Sequence, residues 1–161
     1  MVNFKASLYL KIIFILSLTA LISAYFIEHI LGHQPCNLCL IERIPYGLSV
    51  ALIITIFVFK KNEQFFVILL ILAFIFSFVI SIYHLGIEQG YFQESTVCGL
   101  KDLTENISKE DIINQLNENI ISCKDVTFRI FGLSLTSINI VISLFFIINL
   151  TKIYKYYEKN K

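Results

Sequence analysis

The stretch GHQPCNLCLIERIPYG, residues 32 to 47, holds the densest set of reactive side chains in the chain. Cys36 and Cys39 stand three apart, Arg43 follows four after the second, and His29 and His33 lie just upstream. Three chemistries could use such a set. A metal reading takes His29, His33, Cys36 and Cys39 as H-x3-H-x2-C-x2-C, donors that zinc or copper accept. Gly32 and Pro35 count against it, because they interrupt the helix that would align the histidines, and Arg43 adds a repelling cation. A structural reading takes the C-x2-C bridge as a brace, but so small a loop constrains the unfolded chain little. A redox reading takes the pair as a reversible dithiol.

The redox reading has local support. Proline suits the first helical position, so a helix opening near Pro35 carries both cysteines in its first turns. There the positive end of the backbone dipole favours thiolate, the form that attacks disulfides. Arg43 lies one turn below Cys39 on the same face and would stabilise a Cys39 thiolate. Its blander role is an interfacial anchor. Glu42 points elsewhere on the helix and is a weak candidate for the ion partner of Arg43. Packing is the default role for Pro45 and Tyr46.

The elements that must position these groups are apolar. Of 161 residues, 57% are hydrophobic and 16% charged, where a soluble domain carries about a quarter charged. Mean hydropathy is +0.75. Fifteen Phe and eight Tyr against two Pro and no Trp describe helices facing lipid. The length allows one domain, residues 1–161. A formal net charge of +1 argues against nucleic acid as a partner. Four apolar runs, about 8–27, 40–59, 65–82 and 130–150, meet the roughly 20 residues a spanning helix needs. The first is too long for a signal-peptide core and is expected to be retained.

Lysines set the orientation. Lys5 and Lys11 open the first run, Lys60 and Lys61 lie between the second and third, and Lys152, Lys155, Lys159 and Lys161 follow the fourth. The segment about 83–129 instead sets eight acids, Glu88 among them, against Lys101, Lys109, Lys124 and Arg129. The expected architecture is an all-α membrane protein. It is a four-transmembrane-helix up-and-down bundle with both termini cytoplasmic and loops about 28–39 and 83–129 on the other side. Each spanning helix satisfies its own backbone hydrogen bonds. Within the second loop, Ser108 and Asp111 resemble a capping box. Ile112, Ile113, Leu116, Ile120 and Ile121 follow at helical spacing, which predicts a short amphipathic helix at the membrane surface. Asn106 to Ser108 matches a glycosylation sequon, relevant only in a eukaryotic secretory pathway.

The remaining cysteines, Cys98 and Cys123, fall in that same loop. All four cysteines therefore lie on the non-cytoplasmic side, where disulfides persist. Four cysteines allow three pairings. If Cys36 pairs locally with Cys39, Cys98 and Cys123 close a loop of their own. A thiol–disulfide relay to a lipid-soluble acceptor accounts for all four cysteines, their common side and the arginine; within a bilayer the natural acceptor is a quinone. His84 sits at the outer end of the third run, with Glu88 one turn later. A satisfied interfacial histidine is the bland reading there. Gly86 and Gly90 form a small-xxx-small pattern that lets helices approach closely.

QPCNLCLIERIPYG resembles the P-C-x-x-C-x-x-x-R block of the DsbB family of disulfide bond formation proteins. SIYHLGIEQGYF and the Cys98 to Cys123 loop match that family's layout, and the resemblance covers essentially the whole chain. Glu42 stands where many members have glutamine. The resemblance implies redox-active pairs Cys36–Cys39 and Cys98–Cys123, with Cys39 against the quinone and Arg43 assisting it. It also places a family histidine, matched here by His84, near the quinone. Cys98 would form the mixed disulfide with a DsbA-like periplasmic thioredoxin-fold protein, and Cys123 would attack Cys36. Electrons would finish on ubiquinone or menaquinone, at the bacterial inner membrane, with no metal. Two other classes are a vitamin K epoxide reductase-like thiol oxidoreductase and a non-enzymatic membrane protein with structural disulfides or a His/Cys metal site. In the former the quinone-side C-x-x-C lies near a late helix, whereas here it opens the second.

Overall fold

The computed structural model describes residues 4–59, 62–93, 98, 122–124, 129–130 and 132–159. The predicted surface helix, the sequon, and Lys60 and Lys61 lie outside the described residues.

Four long helices make the body: α1 (Phe4–His29), α2 (Asn37–Phe59), α3 (Glu63–Glu88) and α4 (Leu135–Lys159). Each is long and apolar enough to cross a membrane. At 1.5 Å per residue, 26 residues of α1 reach roughly 39 Å, beyond the hydrocarbon core of about 30 Å. Large apolar side chains cover the outside, with Ile15, Val58, Val79 and Val141 all more than half exposed. Such a surface suits a lipid environment.

The helices extend past the apolar runs in specific ways. α3 continues to Glu88 rather than ending at Ile82, so His84 and Glu88 sit on its last turns. It stops in a Schellman motif: Gly90 has φ +78, its N–H bonds the Ile87 carbonyl at 3.0 Å, and Tyr91 N–H bonds Gly86 O at 2.8 Å. Gly86 makes room for the ring of Phe92 folding back over the helix end, since a Cβ there would overlap that ring. Its role is thus to admit a side chain from the turn, not a neighbouring helix.

α4 begins at Leu135, not Ile130. Residues Arg129–Ile130 (β1) and Leu133–Ser134 (β2) pair as a small antiparallel hairpin, Ile130 opposite Leu133, with Gly132 at φ +83 in the turn. A two-residue hairpin turn favours positive φ, which glycine supplies. Ser134 then caps α4, its Oγ accepting from Ser137 N–H at 3.2 Å. At its other end α4 runs to Lys159 rather than Leu150, because the tail Lys-Tyr-Tyr-Glu-Lys keeps good helix formers. α2 opens at Asn37, close to the expected start, and α1 ends at His29 before Gly32 at φ +73.

α4 packs along α3, α2 packs on both α3 and α1, and α1 scarcely meets α4. One large core lies toward the end carrying the chain termini, where Leu10, Ile13, Ile53, Ile56, Val67, Leu70 and Leu150 surround Phe74 and Phe146. Those two rings meet edge to face at 4.7 Å. Pairs of buried serines tie helices at mid-depth: Ser49 to Ser17 at 2.9 Å and Ser143 to Ser77 at 3.1 Å.

Candidate active site

The site lies at the opposite end of the bundle, where α2 begins and α3 finishes. Cys36 immediately precedes α2 and serves as its cap. Its carbonyl accepts from Leu40 N–H at 3.2 Å and its sulfur from Cys39 N–H at 3.4 Å. One turn on, Cys39 turns its sulfur to within 2.9 Å of Cys36 Sγ, both as free thiols. Cys36 is buried and Cys39 partly exposed.

His84 reaches this pair from α3. Its Nε2 stands 3.5 Å from Cys36 Sγ and its Nδ1 3.0 Å from Glu42 Oε1. Glu42 does not point away from the site. It turns into the bundle, and its second oxygen accepts from Asn139 Nδ2 at 3.1 Å. Asn139 also donates to Ser81 Oγ at 2.7 Å and accepts from the Tyr46 hydroxyl. Glu88, one turn beyond His84, lies 3.8 Å from its Nε2 and accepts from the Thr136 hydroxyl, itself 3.3 Å from His84 Nδ1. Three helices thus converge on one imidazole that is 2% exposed. Ionisable groups at membrane depth are expensive to bury and mark functional sites by default.

This surrounding acts on Cys36. The adjacent Cys39 thiol holds the Cys36 thiol well below its ordinary value, at about 4; His84 pulls the same way, and burial opposes both.

Arg43 has a different neighbourhood. It forms an ion pair with Glu28 of α1, and its guanidinium sits 5.2 Å above the Tyr25 ring. Its partner is therefore Glu28 and not Glu42. His29 is exposed, with Nδ1 3.2 Å from the Tyr25 carbonyl. Among the described residues, the cluster with metal-ligand geometry is Cys36, Cys39 and His84, so the four-residue set with His29 and His33 does not assemble.

Cys98 and Cys123 are joined by a disulfide, with Cα atoms 5.7 Å apart. Both are buried, and they share one cluster with Cys36, Leu38 and Ile87. The second pair is thereby seated on the first.

Beside the thiols a cavity of about 580 Å³ opens between α1 and α4, which scarcely touch. Thr19, Ala20, Ala24 and Ile27 of α1 and Ile138, Ile142 and Phe145 of α4 form its apolar sides. Cys36, Cys39, Glu42, Arg43, His84 and Cys123 form its polar end, and His33 and Tyr46 also line it. Small ligands occupy cavities of about this size with a few convergent polar groups.

Cys36, Cys39, Arg43 and His84, the candidates from sequence, line one cavity; Thr136 and Asn139 were not among them, and Glu42 faces the site rather than away from it. A usable signal was present: Thr136 and Asn139 interrupt an apolar run with groups that need partners inside a membrane.

Four helices long and apolar enough to span a membrane, with a C-x-x-C pair capping one of them and a second cysteine pair in the same buried cluster, make up the site and its frame. The model of the disulfide bond formation protein DsbB matches residues 6–152, and the chain belongs to the DsbB family. It is 29% identical over 148 residues to an uncharacterized protein of Rickettsia prowazekii (strain Madrid E), covering 91% of this chain and 86% of that protein. No solved structure matches the chain. Family membership implies disulfide bond formation by thiol–disulfide oxidoreduction.

Proposed function

We propose that this protein reoxidises a DsbA-like thioredoxin-fold dithiol and passes the electrons, through its two cysteine pairs, to membrane quinone. The observation that carries the reading is the seating of the Cys98–Cys123 disulfide against Cys36, beside a cavity that reaches Cys39. The lysine distribution supports a bacterial inner-membrane setting with both termini cytoplasmic and the cysteines periplasmic.

The exchange steps follow from disulfide chemistry. A thiolate of the reduced partner attacks Cys98, forming a mixed disulfide and releasing Cys123 as thiolate. The partner's second thiol then displaces Cys98, leaving the partner oxidised and Cys98 and Cys123 reduced. Cys123 attacks Cys36 of an oxidised Cys36–Cys39 pair, and Cys39 leaves as thiolate. Cys98 resolves the Cys36–Cys123 bridge, which restores the loop disulfide and leaves Cys36 and Cys39 as the reduced pair.

The cavity suits a quinone head group: apolar walls from α1 and α4 for the ring and tail, polar groups at the thiol end. Cys39 would face the ring, with Arg43 and His84 at its oxygens. When bound, quinone supplies an acceptor for two electrons and two protons. Glu28 and Tyr25 hold the Arg43 cation in place, and Glu42 fixes which nitrogen of His84 faces the thiols.

The test is quinone reduction by purified protein, followed by ultraviolet absorbance, with a reduced thioredoxin-fold dithiol as donor. Turnover should disappear when either cysteine pair is removed. Absence of turnover with both ubiquinone and menaquinone and a cognate donor would overturn the reading.

A further inference from the structure

The reduced thiol pair has neighbours that electron transfer alone does not require. Cys36 Sγ, Cys39 Sγ and His84 Nε2 all lie within 4.8 Å of one another. Zinc bonds of about 2.0 Å to imidazole and about 2.3 Å to thiolate, meeting near the tetrahedral angle, set nitrogen and sulfur roughly 3.5 Å apart. Cys36 Sγ and His84 Nε2 stand 3.5 Å apart. The two sulfurs, at 2.9 Å, would need to spread to about 3.8 Å, within reach of a modest side-chain rotation. Glu88 Oε1, though 3.8 Å from His84 Nε2, stands outside this three-donor set, which leaves a fourth position for water.

The outer contacts fit as well. Metal-bound histidines commonly donate their other N–H to a carboxylate, which fixes the ring and strengthens the ligand. Glu42 stands 3.0 Å from His84 Nδ1, with Asn139 on its other oxygen, and Thr136 holds Glu88. Arg43, which would repel a cation, is neutralised by Glu28.

We propose that the reduced Cys36–Cys39 pair, with His84, forms a three-ligand binding site for a thiophilic divalent cation such as zinc, and that an occupied site withholds the dithiol from oxidation. Binding would leave two thiolate–metal bonds, with any proton still on a thiol released to solvent. Neither sulfur is then free to form the Cys36–Cys39 bond until the metal departs. The second half of this proposal rests on the relay reading; the first does not.

The experiment titrates the reduced full-length protein, in detergent and without oxygen, with Co2+ and then displaces it with Zn2+. Expected are one Co2+ per chain, a sulfur-to-cobalt charge-transfer band, and loss of that band after oxidation or in Cys36→Ser. His84→Ala should weaken binding at least tenfold, with helical circular dichroism confirming that it remains folded. A wild-type protein without the band would overturn the site, and so would a folded His84→Ala protein with unchanged affinity. One equivalent of Zn2+ should then slow quinone-linked oxidation at least tenfold, reversibly on chelation, and unaltered turnover would overturn the withholding. Turnover without metal binding would leave the relay standing and this proposal refuted. Metal binding by a protein that never turns over would uphold the site and remove the relay.

Discussion

The two ends of the bundle are built from the same helices by opposite means. Toward the termini, Leu10, Ile53, Leu70, Phe74 and Phe146 fill the interior, and dispersion between close-packed groups holds the helices together. At the cysteine end, His84, Glu42, Asn139, Ser81 and Thr136 replace them, and hydrogen bonds cross from helix to helix. In lipid there is little hydrophobic drive to associate helices, so packing and interhelical hydrogen bonds share the work. The apolar end can therefore anchor the bundle, while the polar end keeps a gap between α1 and α4 and holds ionisable groups in fixed positions. Apolar packing and polar contacts are divided along the bundle axis.

Substitutions at the two ends should separate these roles. The largest effect is expected from Cys39→Ser, which should abolish quinone reduction while the thermal unfolding midpoint moves little. Full activity in that variant would sink the division at its active end. The pH profile of the same end is equally diagnostic. Cys36 is held as thiolate down to about pH 4, so one thiolate absorbance per reduced chain should persist from pH 9 to pH 5 and vanish only on further acidification. A depressed thiol pKa adds stability that is complete above the ordinary thiol value and lost as pH falls through about 4. Absorbance that disappears near pH 8 to 9 would mean the neighbours of Cys36 do not stabilise its charge.

At the other end, Phe74→Ala should cost about 3–5 kcal/mol by opening a cavity in the aromatic cluster, measured by denaturation in detergent. Its folded fraction should keep normal turnover per molecule; a change in catalytic pH profile would show that the ends are coupled. Arg43→Ala is expected to lower turnover about tenfold, or about 1.4 kcal/mol, with the Cys98–Cys123 bond intact by thiol counting. Wild-type rates would relegate the Arg43–Glu28 pair to anchoring. The smallest effect belongs to the boundary: Ser143→Ala removes the bond to Ser77 and should cost about 0.6 kcal/mol. A loss several times larger would place part of the stability in the polar zone after all.

Much of this molecule is legible in one dimension. Apolar runs of about 20 residues have few alternatives in a protein of this composition, and four such runs became four helices. Cys36, Cys39 and Arg43 share a short segment whose spacing alone places them on the first turns of α2. The start of α4 was misplaced because Ile130 and Leu133 are apolar whether they lie in a helix or a hairpin. Gly132 and Ser134 decide between the two by turn and cap geometry. His84 carried no periodic signal that distinguishes a surface histidine from a buried one.

Hydropathy and local spacing thus determined the four membrane-length helices among the described residues, and that a dithiol opens the second. Tertiary packing alone decided that Glu42 faces His84, that Arg43 turns to Glu28, and that Asn139, 100 residues after Cys39, completes their surroundings. The physical reason is that a buried polar group is satisfied by whatever donor or acceptor the neighbouring helices present. That depends on how each helix is rotated and how deep it sits against the others.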